Sequence, residues 1–264
     1  MTVDFGNLNN LHINNLYRFF NIDDNIRELV VENFNAKNIK ELEQLFYDLK
    51  SLTRVTMINC NTKNTESLSN LFYYCRKLKE VDLSGLDMSS VIKLNGLFFT
   101  CDSLEKITFG NIDTSHVLDM RSMFQCNSSI KELDLSGFDT SSVRNMAGMF
   151  NRCSHLEKLN ITSFNTENVT STLSMFNECS SLRKLDLSHF NTSKVGDAYG
   201  MFSGCISLEE LDISSFDAKL MERNTKNMFK KCIRLEKVRL PVEPESRHIL
   251  YNQLRRDGIQ CEII

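Results

Sequence analysis

The 264-residue sequence has only two prolines, Pro241 and Pro244, both close to its end. Nothing before residue 240 is therefore marked as a proline-rich linker, and the chain up to that point reads as uninterrupted. No stretch approaches 18 uninterrupted apolar residues, so no membrane-spanning helix is expected. The opening Met1 to Asn7 lacks the basic and apolar regions of a secretory leader. As it stands the chain is expected in the cytoplasm, or at the cell surface if a leader has been removed. An excess of one charge is missing too. Lys and Arg total 31 against 34 Asp and Glu, a net charge of −3, which argues against a generally basic nucleic-acid binder and against an acidic tail. Finally, there is no Cys-x-x-Cys or Cys/His grouping at ligand spacing, and no Gly-x-x-x-x-Gly-Lys-Ser/Thr loop. Neither a zinc cluster nor a phosphate cradle is expected, and no cofactor.

What the sequence does contain is a repeat. One apolar slot recurs every 26 residues as Ile26, Leu52, Leu78, Leu104, Ile130, Leu156, Leu182 and Leu208, with Leu235 one residue late. A second keeps the same interval as Phe20, Phe46, Phe72, Phe98, Phe124, Phe150, Phe176 and Phe202, with Phe229 again one late. A fixed period of this size is the signature of a stacked solenoid. Residues Leu78 to Ser84 read L-x-x-L-x-L with Val81 in the second position, the strand-forming core of a leucine-rich repeat. Alternation sends Val81 and Leu83 inward and Glu80 and Asp82 outward.

After each strand a turn follows, such as Gly137 to Ser141 or His189 to Ser193, in which Asp139 or Asn191 can accept from the next backbone amides. Val143, Met146, Met149 and Phe150 suit a short helical or 3₁₀ return. The expected fold is an α/β repeat solenoid: about nine 26-residue coils, one parallel sheet, and helical, 3₁₀ or irregular return segments. Residues 1–25 form a partial coil or cap with Val3 and Phe5, residues 26–240 the solenoid, and residues 241–264 a C-terminal cap. In that cap a helix is expected over 245–256, Gly258 as its C′ residue, and a strand over 259–264. Two irregularities are read as loop insertions, one between Cys126 and Ile130 and one within 218–229.

Seven of the nine cysteines occupy one slot, Cys75, Cys101, Cys126, Cys153, Cys179, Cys205 and Cys232, and Leu49 fills it in an earlier coil. An aliphatic substitute marks a buried apolar ladder, and an odd set of thiols cannot all pair. Such usage fits a reducing compartment. Cys60 and Cys261 lie outside the ladder without an assigned role. The five histidines fall in different coil positions with no nucleophile at a matching slot, so no catalytic residues are expected and the chain is read as no enzyme.

The run Met-Phe-x-x-Cys-x-x-Leu-x-x-Leu-Asp-Leu-Ser-x-Phe-Asp-Thr-Ser-x-Val is seen across 123–143 with its cysteine shifted by one, and across 175–195 with small changes. It resembles the BspA-like leucine-rich-repeat proteins. The resemblance covers nearly the whole chain and implies a non-enzymatic binding scaffold, of bacterial surface or lipoprotein type associated with adhesion.

Candidate partner-binding residues lie where columns of equivalent positions face outward. The first strand column includes Arg54, Lys106 and Lys158 and alternates in sign, so a self-neutralising ladder is the plainer reading. The second includes Thr56, Asp82, Asp134, Asp186, Asp212 and Arg239, an acidic stripe whose aspartates also belong to the repeat pattern. A third column reads Tyr47, Tyr73 and Phe99 and then turns polar as Gln125, Asn151 and Asn177. An aromatic patch confined to one half of a solenoid marks either an interface or a surface covered by Leu11 to Phe19. Six cations between Lys226 and Arg239 are read as a solvated terminal face. The expected function is a protein-binding scaffold that uses the outward face of its sheet, monomeric when unbound and without nucleic acid, as a cytoplasmic inhibitor or immunity-type protein. The alternative is a bacterial surface adhesin.

Overall fold

A computed structural model of the chain describes residues 1–4, 19–20, 25–221 and 224–264. Phe5 of the expected partial coil and Leu11 to Arg18 of the expected cover lie outside the described residues. The strands are β1 (Thr2–Asp4), β2 (Glu28–Glu32), β3 (Arg54–Ile58), β4 (Glu80–Asp82), β5 (Lys106–Thr108) and β6 (Glu132–Asp134). They continue as β7 (Lys158–Asn160), β8 (Lys184–Asp186), β9 (Glu210–Asp212) and β10 (Lys237–Arg239), and helix α1 (Pro244–Arg256) and β11 (Glu262–Ile263) end the chain. Pairing is parallel and keeps the sequence interval, so that Val55 faces Val81 and Val81 faces Ile107. Every sequence column thus becomes a spatial ladder running along the solenoid axis.

The strands do not form one continuous sheet. Hydrogen-bonded runs join β1 to β5, β6 to β7, and β8 to β11. The first break falls at Phe109, which stands where the strand motif usually has Leu or Ile and packs edge-on against Phe138 at 5.0 Å. At the second break Lys158 and Lys184 would be neighbours, and each turns away to its own carboxylate, Glu132 at 2.6 Å and Glu210 at 2.9 Å.

Inside, the recurring Leu/Ile and Phe slots are buried along the whole array. Phe20 to Phe229 form a stack with ring centroids 5.1 to 5.8 Å apart. The thiols beside them do more than fill space. Cys101, Cys153, Cys179 and Cys205 each donate Sγ–H to the backbone carbonyl of the Phe one coil back, at 3.1 to 3.2 Å. Cys75 and Cys232 do the same. Burial pushes Cys75, Cys153 and Cys232 up to about 12, so these thiols stay protonated.

Cys126 is not a member of this ladder, and no residue is inserted before Ile130. Asn127 occupies the slot, fully buried, with Oδ1 accepting from the Cys101 amide at 3.1 Å. Among the described residues its Nδ2 has no partner. Cys126 instead takes a left-handed backbone position, φ +63°, equivalent to Arg152 and Glu178. Matching by residue type shifts the thiol by one position; the fold moves the asparagine into the core. Cys60 is buried in the column of Phe34 and Leu86, donating to the Ile58 carbonyl at 3.4 Å.

The return segments between residues 42 and 205 are not helical but chained turns. Alternate amides reach back three residues or across to the next coil: Leu71 N donates to Leu68 O, while Phe72 N donates to Leu97 O. Two residues per coil sit at positive φ, such as Gly148 (+63°) and Arg152 (+62°), and this prevents a continuous helix. The turns after the strands are clamped as expected, with Ser141 N on Asp139 Oδ1 at 2.9 Å and Ser193 N on Asn191 Oδ1 at 3.0 Å. A buried threonine ladder accompanies them. Thr140 Oγ1 donates to Asn165 O and accepts from Asn165 N, and Thr114, Thr166 and Thr192 repeat this one coil apart. At Gly85 a side chain is excluded, because a Cβ would lie 2.2 Å from the Met57 carbonyl oxygen.

The second irregularity is real. The added residue falls between Met221 and Thr225, after which inter-coil hydrogen bonds link positions 26 rather than 25 apart, as in Phe202 N to Met228 O. Beyond it, α1 starts at Pro244, its N-cap Glu243 accepting from Ser246 N at 2.8 Å. Its buried Ile249, Leu250 and Leu254 extend the common core. Polar groups that would have met a further coil meet the helix instead: Ser246 Oγ accepts from Ala218 N, and Asp257 Oδ2 from Phe229 N.

Candidate interaction surfaces

The first outward strand column neutralises itself as its alternation implied. Arg54 pairs with Glu80 at 2.9 Å, Lys158 with Glu132 and Lys184 with Glu210. Among the described residues Lys106 takes part in no ion pair. The neighbouring column repeats the device with Lys79 and Glu105, and Arg183 and Glu209. Exposed pairs of this kind contribute about 0 to 1 kcal/mol each, so they set charge pattern more than stability.

In the second column each aspartate has a structural task. Asp82, Asp134, Asp186 and Asp212 accept at 2.9 to 3.0 Å from the amides of Ser84, Ser136, Ser188 and Ser214, two residues on. The hydrogen bonds from Ser136 and Ser188 hold the Asp134 and Asp186 carboxyls below the usual carboxylate range. Thr56 lies on β3 and Asn160 clamps its own turn through Thr162. Arg239 closes the stripe by pairing with Asp212 at 3.4 Å. These last strands enclose a groove of about 250 Å³ whose walls include Asp186, Asp212, Lys237 and Arg239. The structure therefore gathers three of the candidate strand residues into one recess and leaves Arg54, Thr56 and Asp82 on the open face.

The aromatic column is on the return side. Tyr47 and Tyr73 stack at 5.6 Å and Tyr73 and Phe99 at 4.8 Å, each pair within 11° of parallel. Tyr74 joins them, 4.6 Å from Tyr73, and carries the Arg76 guanidinium 5.0 Å from its ring centre. All four rings are half-buried. Tyr47, Tyr73 and Phe99 border a groove of about 510 Å³ whose other walls include Gln44, Asn70, Asn95 and Arg121. Sequence reasoning found the rings but not these polar walls. Gln44, Asn70 and Gly96 share a column of positive-φ residues, and their common facing becomes visible only once the return is known to be chained turns.

The basic end is exposed. Lys226, Lys230, Lys231 and Arg234 take part in no ion pair among the described residues and flank Ile206 and Ile233, which stand out to solvent in adjacent coils. The described histidines are dispersed, with His12 outside the described residues: His189 Nε2 meets the Ile161 carbonyl oxygen and His248 Nε2 meets Asn252. Among the described residues no group of three His, Cys, Asp or Glu could hold a metal, and no helix is long and apolar enough to cross a membrane.

Similar solved structures include a leucine-rich cell surface protein from Faecalibacterium prausnitzii, 15% identical over 95% of this chain and 84% of that one, with a TM-score of 0.29. A leucine-rich-repeat protein from Eubacterium ventriosum is 18% identical over 84% of this chain and 75% of that one, with a TM-score of 0.32. TLR13, from its complex with ssRNA13, is 12% identical over 82% of this chain and 50% of that one, with a TM-score of 0.26. At superpositions this loose none of the three bears on what this chain binds. No curated protein matches it significantly. The coils formed by the BspA-like pattern are those of a leucine-rich-repeat solenoid. The family described as "Mycoplasma protein of unknown function, DUF285" matches residues 1–108, 92–187 and 155–239, together 1–239, and the chain belongs to that family.

Proposed function

We propose that the protein is a binding scaffold without catalysis of its own, holding a protein partner against the outward face of strands β2 to β10. The observation that carries this reading is the division of labour between the two sides of each strand. Inward residues are spent on stacking, whereas outward residues form a broad face of both signs ending in the recess around Asp186, Asp212 and Arg239. Charges arranged this way steer and orient a partner more than they add affinity. The more specific form of the proposal is a cytoplasmic inhibitor or immunity-type protein, monomeric when unbound, and its support is nine cysteines that are all free. The alternative, a bacterial surface adhesin, is supported by the BspA-like repeat pattern.

Affinity capture from the native host with the wild-type chain, followed by binding measurements on the triple variant Asp134→Asn, Asp186→Asn, Asp212→Asn, tests the reading. Asparagine keeps the turn clamp, as Asn160 does, and removes only charge. A partner whose association slows and weakens in the triple variant supports the strand face. A partner bound equally well by both rejects it.

A further inference from the structure

We propose that the return-side groove at Tyr73 and Phe99 binds a neutral, hydroxyl-rich ligand of the oligosaccharide class. The site is separate from the strand face and does not depend on the partner proposed there. Its rings are not demanded by the fold: the slot that holds Tyr47, Tyr73 and Phe99 holds Gln125, Asn151 and Asn177 in the next three coils, with the same backbone. Three aromatic side chains therefore occupy positions at which the array accepts carboxamides.

The walls beside the rings define what could bind. Gln44 Oε1 is shielded from solvent and accepts no hydrogen bond among the described residues. Burying an acceptor unpaired costs free energy, and a turn of the Gln44 carboxamide into the groove it lines would let a ligand hydroxyl pair with it. The Asn70 carboxamide makes no hydrogen bond among the described residues, and Asn95 uses its Oδ1 for Ser69 at 2.7 Å, leaving its amino group. A carboxamide both donates and accepts, as does each hydroxyl of a sugar, while ring surface accommodates a sugar's C–H face.

Charge argues the same way. Arg121 is the cation at the groove, and it is already held by both oxygens of Asp119, Nε at 3.0 Å and Nη2 at 2.7 Å. An anionic ligand would have to compete with that pair, whereas a neutral one need not. An extended peptide is also disfavoured, because it would need free backbone groups to pair with. Here they are spent between coils: Asn70 N donates to Asn95 O, Phe72 N to Leu97 O and Tyr74 N to Phe99 O, at 2.9 to 3.0 Å.

The chain has no tryptophan and six tyrosines, of which Tyr47 and Tyr73 line the groove, so a ligand-dependent change in tyrosine emission that is lost in Tyr73→Asn reports on the groove. Maltohexaose, cellohexaose and the hexamer of N-acetylglucosamine are titrated in turn, with saturation-transfer NMR as a second readout. At least one is expected to bind saturably. The double variant Tyr73→Asn, Phe99→Gln, which installs side chains found in the same slot elsewhere, should lose at least about tenfold in affinity, a change of about 1.4 kcal/mol, with its unfolding midpoint retained. Gln44→Asn keeps a residue suited to its positive φ while shortening the acceptor, and should weaken binding by a smaller factor. Absence of binding by all three sugars up to about 10 mM would overturn the proposal, as would equal affinity in the double variant. Binding confined to a sulfated hexasaccharide would overturn it too. If the double variant unfolds, Phe99→Gln alone serves as the test, and a loss of stability without sugar binding assigns the rings to internal cover instead.

Discussion

The strand side and the return side of each coil are built from the same 26-residue interval, yet they treat variation differently. On the strand side a change of residue is absorbed by the neighbouring coil: Arg54 finds Glu80, Lys158 finds Glu132, and Arg239 finds Asp212. On the return side charges are matched in the same way, as Arg152 with Glu178 at 3.1 Å, but the aromatic run has no such complement, and Tyr73 and Phe99 stand beside amides that make no hydrogen bond among the described residues. Parallel stacking explains the contrast. It places equivalent residues about 5 Å apart, so alternating charges pair automatically, whereas an aromatic run simply stacks on itself and leaves its edges to the groove.

The largest expected effect tests the interior that both sides share. Phe124→Ala removes a ring from the middle of the stack and should cost about 3 to 5 kcal/mol in denaturant unfolding, since both neighbouring coils are held rigidly at its edges. A loss below about 1 kcal/mol would mean that the coils collapse onto the gap and that the stack is not a common support. Next comes the swap Cys126→Asn, Asn127→Cys. It should stabilise the protein by about 1 to 3 kcal/mol, because it removes the unpaired Asn127 Nδ2, restores a thiol donor to the Phe98 carbonyl and places asparagine at a positive φ. A destabilised swap would show that Asn127 is needed where it is.

The pH dependence separates carboxylates at turns from thiols in the core. Glu243 is lowered to about 2 by hydrogen bonds from Ser246, and Asp87, Asp113 and Asp139 are lowered by their serines. A depressed carboxylate stabilises the fold above its unfolded value, so stability should fall as pH drops from about 4.5 towards 2. The thiols have the opposite sign: raised from about 9 to about 12, they stabilise the fold at lower pH, and that contribution is lost as pH rises through this range. Cys75→Leu, which copies Leu49 of the earlier coil, should flatten the alkaline limb of a pH-melting series and leave the acid limb unchanged. The smallest effect belongs to the strand face. Arg54→Met should shift stability by about 0.5 kcal/mol or less, and a larger change would mean that these pairs hold coils together rather than set charge pattern.

Much of this architecture was legible because a repeat averages over local ambiguity. Leu78 or Phe98 alone could belong to many folds; eight copies at one interval, with a ninth one residue late, belong to a solenoid. The clamp at Asp139 and the helix over 245–256 were legible for local reasons, an Asx side chain within reach of the amide two residues on, and helical spacing at Ile249, Leu250 and Leu254 closed by Gly258. The cysteine ladder was misread at one rung, because motif matching follows residue identity while the core follows position. Chained turns were hidden for a related reason. The spacing of Val143, Met146 and Met149 fits a helix, and only the left-handed residues at 148 and 152 break it.

The sequence by itself determined the coil, its stacking and which columns face inward, since periodicity and hydrophobic burial act through every repeat alike. Only the tertiary structure decided that Asn127 lies in the core and Cys126 outside it, that the sheet separates into three runs, and that Gln44, Asn70 and Asn95 surround the aromatic column. These depend on which backbone groups of one coil meet the next, and inter-coil hydrogen bonding fixes that only after the chain has stacked.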